Sequence, residues 1–186
     1  MAFKDTTLTF EENKIISNDS YLNMEVMMSW EAPIMEKSAK YICQSKGDIL
    51  EIGFGMGICA DYIQAEGVNS HTIVEIHPQI IEKLKVWAED KDNVTIVEGD
   101  WNSVELDRTY DGIFLDTFGD LSLDSFKEFA ISKAKSGAKI TYWNNLEKEN
   151  NPYLFDSVVY EVMDISPDEN VYTVMKDNYY MPKVEL

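Results

Sequence analysis

The sequence predicts an α/β protein: a single doubly wound sheet, mostly parallel, with a C-terminal antiparallel strand pair and an N-terminal helical segment. Three observations carry this expectation. From about residue 48, short β-branched runs alternate with segments of helical period, the pattern of strands crossed over by helices. The first run passes directly into glycines on alternate positions, in "EIGFGMGICADYI" (51–63). The end, "VYTVMKDNYYMP", reads as two apolar runs around a Lys-Asp-Asn turn, hence an antiparallel pair.

The elements follow in chain order. In the N-terminal segment (1–47), "YLNMEVMMSWEAPIMEKSAKYIC" reads as helix with a break at Pro33, and its methionines Met24, Met27, Met28 and Met35 sit at near-helical spacing. Core packing accounts for most of them, though methionine also suits an adaptable ligand pocket. The strands are "DILEIGF" (48–54), "HTIVEI" (71–76), "NVTIVEG" (93–99), "YDGIFLDTF" (110–118) and "AKITYWN" (138–144). Several are apolar almost throughout, as parallel strands buried on both faces must be. Pro78 sits at a first helical turn, and Ile80, Ile81, Leu84 and Trp87 then fall on one face. Leu123, Phe126, Phe129, Ala130 and Ile131 make a second such face, with Gly137 as its C-terminal cap. No internal repeat or Pro/Gly/Ser linker interrupts residues 1–186, so one domain is expected, with residues 48–186 as its α/β core.

Composition bounds the function. A chain of 186 residues with 45% hydrophobic residues can bury a proper core. No apolar run approaches the roughly 20 residues that cross a bilayer, and "MAFKDTTLTFEENK" lacks the basic and apolar regions of a signal peptide. Cys43 and Cys59 form neither a metal-ligand spacing nor a disulfide framework. These points lead to the expectation of a cytoplasmic protein with no metal and no membrane partner. The net charge of −18 argues against nucleic acid, whose affinity comes mainly from Lys and Arg on phosphates. It is compatible with a cationic small-molecule substrate; an acidic surface serving solubility alone explains it as well.

Gly53, Gly55 and Gly57 lie between the first core strand and the first core helix. In open α/β sheets ligands bind at the carboxyl ends of strands, facing helix N-termini. The next strand ends in Glu75, 22 residues after Gly53, where a carboxylate can hold the hydroxyls of a ribose. Together they point to a nucleoside-bearing cofactor, against the plainer readings of a tight turn and a solvated strand-end carboxylate. A dinucleotide loop spaces its first and third glycines by five; here the spacing is four, and no basic residue stands near for a pyrophosphate.

"EIGFGMG" resembles the loop of the class I S-adenosylmethionine-dependent methyltransferases, whose sheet is Rossmann-like. "VMMSWEAPIM" (26–35) and "YDGIFLDTF", with "VEIHPQII" and "VEGDW", resemble the guanidinoacetate N-methyltransferases and the fungal-type protein arginine methyltransferases. The resemblance runs from about Val26 to Asn144. It implies S-adenosyl-L-methionine as cofactor, with S-adenosyl-L-homocysteine as product. It implies cofactor contacts from Met27, Met35, Gly53, Phe54, Gly55, Met56, Gly57, Ile58, Glu75, Ile76, His77, Asp100, Trp101 and Asp116. Glu31 and Asp116 match the two carboxylates that grip a guanidinium, Asp116 being also the residue that removes its proton. Asn145 and Leu146 fall where the family binds the substrate's carboxylate through backbone amides. The charged residues that follow them in "WNNLEKEN" differ from the family, which leaves arginine, another guanidino compound or a peptide arginine open as acceptor. Residues 1–20 are expected to close the pocket as a lid.

The chemistry is consistent with that resemblance. A guanidinium has a pKa of about 12.5–13.8, so full deprotonation near pH 7 costs on the order of 8 kcal/mol. Two carboxylates can hold it bidentately and orient one nitrogen, and the proton then leaves as the methyl arrives. Plainer roles remain for several residues: Glu31 as an exposed helical Glu, His77 as the cap of the helix at Pro78, Trp101 as packing. A methyltransferase for another nucleophile and a non-catalytic cofactor-binding protein stay open as alternatives.

Overall fold

The computed structural model describes residues 2–19, 22–119, 125–144, 155–167 and 177–186. Its N-terminal part departs from the expected helix. Leu8–Phe10 (β1), Lys14–Asp19 (β2) and Leu22–Met28 (β3) form a three-stranded antiparallel sheet. A single 3-10 turn, Ser29–Glu31, then leads into the helix Ala32–Ile42 (α1). Pro33 lies in the first turn of α1 and starts the helix rather than breaking it, because no intrahelical N–H is missed there. Leu22, Met24, Val26 and Met28 alternate at strand period, and that period outweighs the helical propensity of Met and Glu once β2 supplies a partner. Opposite Ile15 and Ile16 the register skips from Met27 to Glu25. This bulge at Val26 breaks the alternation, and Met27 and Met28 are both buried.

The main sheet contains the expected parallel strands: Asp48–Ile52 (β4), Ser70–Glu75 (β5), Val94–Glu98 (β6), Tyr110–Leu115 (β7) and Ala134–Tyr142 (β8). Ile58–Ala65 (α2) connects β4 to β5, Pro78–Ala88 (α3) connects β5 to β6, and Phe126–Lys133 (α4) precedes β8. Val159–Asp164 (β9) and Asn178–Glu185 (β10) complete the order β6-β5-β4-β7-β8-β10-β9. Alternation along the strands divides the core. Ile49, Phe114, Tyr179 and Met181 pack with Ile34, Met35 and Ile42 of α1 and with Cys59 and Ile63 of α2. Ile73 packs with Ile80 and Leu84 of α3, and Leu8 and Ile15 join that cluster, seating the small sheet on the large one. Leu50, Ile52, Ile113, Leu115, Ile140 and Tyr142 meet Phe126 and Ala130 of α4. Three helices therefore cover one face and α4 the other.

Three expectations change. Ile131 is 49% exposed and lies off the packed face of α4, while Leu123 falls outside the described residues. Gly137 is not a helix cap: it lies within β8 at φ +79 and donates its N–H to the Leu186 carbonyl. Between Tyr110 and Gly112 the partner register jumps from Ala134 to Lys139, so the left-handed glycine serves an irregularity in the strand. The C-terminal antiparallel pair is present, but β10 pairs with β9, Asn178 opposite Asp164 and Lys183 opposite Val159. The run 171–175, read as the partner strand, lies outside the described residues.

Gly112 of β7 allows α1 to end close against the sheet: a Cβ there would lie 2.2 Å from the Ile42 carbonyl oxygen and 2.8 Å from Ile49 Cδ1. Gly112→Ala should therefore cost about 1–3 kcal/mol through overpacking, seen as a lower urea midpoint with an unchanged slope.

Candidate active site

Parallel register aligns the carboxyl ends of the strands. Ile52 stands beside Val74 and Leu115, and Leu115 beside Tyr142. One residue further along, Glu75, Gly53, Asp116 and Trp143 form a row across the sheet. The ladder continues into this row. Gly53 N–H donates to Val74 O at 2.9 Å, Asp116 N–H to Ile52 O at 2.8 Å, and Trp143 N–H to Leu115 O at 2.8 Å.

The three glycines of the loop after β4 all have left-handed φ: +90 at Gly53, +54 at Gly55 and +79 at Gly57. What a side chain there would strike is the protein itself. A Cβ on Gly53 would lie 1.8 Å from the Asp116 carbonyl oxygen, on Gly55 2.5 Å from Met27 Sδ, and on Gly57 2.7 Å from the Phe54 ring. The glycines thus draw β4, β7 and β3 together, and the turn presents the N-terminus of α2 at the cleft, a favourable place for an anionic group. Met27 Sδ also accepts the Met56 N–H at 3.1 Å. Met35 is fully buried in α1, and Phe54 turns its ring into the core against Trp87 at 5.4 Å. Gly55, Met56 and Ile58 remain partly accessible.

Glu75 is buried, and its carboxylate organises the neighbouring loops. Oε2 accepts the Phe54 N–H at 2.9 Å, while Oε1 accepts the N–H groups of Ile76 and His77, both at 2.8 Å. A carboxylate has about four lone-pair positions, so about one is left for a further donor. His77 is the N-cap of α3: Nδ1 accepts the Gln79 N–H at 3.2 Å. Its Nε2 therefore donates to the Thr6 carbonyl at 3.2 Å, and burial, the largest influence, lowers its pKa. The Phe3 ring stands 4.9 Å from His77 and 5.1 Å from Phe118, spanning the ends of β5 and β7. The Gln79 amide holds this strap by bonding both the N–H and the carbonyl of Leu8, at 2.8 and 3.3 Å. Asp100 is exposed after β6 and accepts the Asn102 N–H at 2.9 Å. The ring of Trp101 is buried on the opposite face, edge-on to Phe126 and Phe129 at 6.0 and 5.1 Å. Asn145 and Leu146 lie outside the described residues.

Glu31 and Asp116, 85 positions apart in the chain, stand near enough for the charge of Asp116 to act on Glu31. Glu31 is 6% exposed, and its Oε1 reaches back to the Met28 N–H at 2.9 Å, as in half of a capping box. Burial first, and the charge of Asp116 second, hold its pKa well above the usual carboxylate range. Burial, with the negative charges of Glu51 and Glu75, pushes Asp116 up to about 7. Two carboxyls in one poorly solvated place resist double ionisation. Glu51 lies behind the loop and is itself buried. Its Oε2 meets His71 Nε2 at 2.9 Å, and His71 Nδ1 meets the Gln64 amide nitrogen at 3.2 Å. The amide can only donate, so His71 donates to Glu51. Sequence reasoning treated Glu51 only as part of the loop motif and passed over His71, Phe3 and Trp143. Only the burial pattern of their strands, or the folded contacts, could mark them.

Among the described residues no helix is long and apolar enough to cross a membrane. The profile of the guanidinoacetate N-methyltransferase family matches residues 2–146. Protein arginine N-methyltransferase 2 of Aspergillus oryzae is 37% identical over 156 positions, covering 77% of this chain and 37% of that protein. The Aspergillus fumigatus protein of the same name is 31% identical over 98% of this chain and 44% of its own length. The Saccharomyces cerevisiae one is 35% identical over 78% of this chain and 37% of its own length. The chain thus spans about two fifths of the length of these relatives. Among solved structures, N-methyltransferase NodS from Bradyrhizobium japonicum WM9 with S-adenosyl-L-homocysteine superposes with a TM-score of 0.66 at 10% identity, over 84% of this chain and 87% of its own. Spermidine synthase from Thermotoga maritima gives 0.69 at 11% identity, over 96% and 72%. These two likenesses establish the fold: a Rossmann-like class I methyltransferase sheet.

The raised pKa of Asp116 makes stability pH-dependent. Between about pH 4 and 7 the folded chain holds a proton that the unfolded chain has lost, so this group's contribution declines as pH rises through that window. Asp116→Asn removes the charge and should stabilise the fold by on the order of 1–4 kcal/mol at pH 8 but little at pH 4, as measured by urea unfolding at both pH values.

Proposed function

The chain belongs to the guanidinoacetate N-methyltransferase family of S-adenosylmethionine-dependent methyltransferases, and on that footing we propose that it methylates a guanidino nitrogen. The acceptor is an arginine-like or guanidinoacetate-like small molecule, with a peptide arginine as the second candidate. Residues 1–186 act as one catalytic unit. The reading is carried by the meeting of Glu31 and Asp116, two carboxyls poor in solvent, beside the glycine turn.

The residues fit the cofactor by their chemistry. The α2 N-terminus suits its carboxylate, and the Glu75 carboxylate, with one lone pair open, suits a ribose hydroxyl. Binding both hydroxyls requires one of the three N–H bonds to Glu75 to shift. Met27, Met56 and the backbone of Gly53, Gly55 and Ile58 border that space. Ile76, His77 and Asp100 frame the adenine end, where Trp101 contributes only through its backbone. The buried side chains of Met35 and Phe54 support the loop from behind. The Phe3 strap is the lid.

When bound, S-adenosylmethionine supplies a methyl group on a positively charged sulfur. Glu31 and Asp116 accept hydrogen bonds from two edges of the guanidinium and fix its plane. The incoming cation favours the ionised state of both carboxyls, so the proton they retain leaves as the acceptor binds. Asp116 then takes the proton from the reacting nitrogen as the N–C bond forms and the S–C bond breaks. Alignment by two rigid carboxylates supplies much of the remaining acceleration.

Transfer of labelled methyl to guanidinoacetate, arginine, agmatine and arginine peptides tests the proposal directly; no labelled product from any of them would end it. Asp116→Asn should abolish turnover while leaving cofactor affinity within a few-fold. Retention of near-normal rates would remove Asp116 as the base. Glu75→Ala should weaken cofactor binding by about 1.5–3 kcal/mol, read by calorimetry on protein shown to be folded.

A further inference from the structure

Trp143 occupies the position next to Asp116 across the β7–β8 pair. The parallel ladder brings Leu115 beside Tyr142, and the bond from Trp143 N–H to Leu115 O extends it by one step. Leu115 and Tyr142 both face the α4 side, where they join one cluster. Their successors must face the other way. Accordingly, Trp143 packs on the cluster of α1, Phe114, Tyr179 and Met181, the side on which Cys59 lies, and the charge of Asp116 reaches both Cys59 and Glu31. Trp143 is partly accessible, as are Gly53 and Asp116 in the same row.

Its ring is also held in place. It lies 5.3 Å from the Tyr179 ring at 36°. Tyr179 is fully buried, and its hydroxyl accepts the Asn144 N–H at 3.1 Å and donates to the Tyr142 carbonyl at 3.3 Å. The Asn144 side chain donates to the Tyr180 carbonyl at 2.9 Å. The end of β8 is thereby tied to β10 on both sides of Trp143. A partly accessible indole, fixed by a buried tyrosine and one strand over from Asp116, whose charge in turn reaches Glu31, is an arrangement suited to a flat cation: edges to the carboxylates, face to the ring.

We propose that Trp143 is a specificity-determining residue of the acceptor site, forming the wall on which the plane of a guanidinium stacks while Glu31 and Asp116 take its edges. This rests on the methyl-transfer reading above and adds a selection for planar, delocalised cations. A carboxylate pair alone would accept any small cation. The aromatic wall favours a guanidinium over a compact, strongly hydrated ammonium.

The test is calorimetric titration of agmatine, and of putrescine as an ammonium analogue, into protein saturated with S-adenosyl-L-homocysteine. Wild type, Trp143→Phe and Trp143→Leu are compared, each checked for folding by circular dichroism and for cofactor affinity. The inference expects agmatine to bind wild type well above putrescine. Trp143→Phe should stay within about threefold, and Trp143→Leu should lose about tenfold for agmatine but little for putrescine. Equal agmatine affinity in wild type and Trp143→Leu overturns the wall and leaves the methyl-transfer reading standing. Equal losses in the Phe and Leu variants also overturn it, since packing alone would then account for the residue. If wild type binds S-adenosyl-L-homocysteine but no agmatine, the wall is overturned, while the methyl-transfer reading is decided separately by the labelled-methyl screen.

Discussion

The contact on which the rest depends is that between Gly53 and Asp116. A Cβ on Gly53 would lie 1.8 Å from the Asp116 carbonyl oxygen, so no other residue fits without separating β4 from β7. Gly53 also adopts φ +90, a conformation that side chains resist. The close approach brings the loop after β4 to the carboxylate after β7. Register does the remainder, because the parallel strands stay in step at their carboxyl ends and place Glu75 on one side of this contact and Trp143 on the other.

Around that contact the protein gathers negative charge in a place with little water. Glu31, Glu51, Glu75 and Asp116 converge from four elements, and they are compensated unequally. Glu75 takes three backbone N–H groups, Glu51 takes His71, and Glu31 takes a single N–H from Met28. Hydrogen bonding to a carboxylate favours its charged form, whereas burial and like charge disfavour it. The least compensated members are Glu31 and Asp116. In the function proposed above, these are the two that border the acceptor. The acidity that suggests solubility in the composition is, at this point in the fold, concentrated where burial raises the carboxyl pKa values.

The N-terminal part illustrates how a local pattern can be overruled. "YLNMEVMMSWEAPIM" contains good helix formers, yet its first half is strand, because β2 offers hydrogen bonds and the apolar residues alternate. Met27 shows the consequence. Expected on a helix, it instead follows a bulge and lays its sulfur on the Gly55–Met56 turn. Pro33 had the right position and the wrong meaning, a helix start taken for a break. Gly137, expected as a cap, serves a strand irregularity whose cause is the register between β7 and β8, which no window of sequence contains.

The sequence by itself determined the alternation of strands and helices, the left-handed turn at Gly53–Gly57, the Pro78 helix with its His77 cap, and the identity of the acidic strand ends. Each of these is set by residues within one or two turns of chain, where period, glycine freedom and missing N–H groups act locally. Only the tertiary structure decided that β1, β2 and β3 form a sheet, that β10 pairs with β9, that Trp101 turns its ring into the core, and that Trp143 stands beside Asp116. Those outcomes depend on partners tens of residues away, and on which groups lose their water when the layers close.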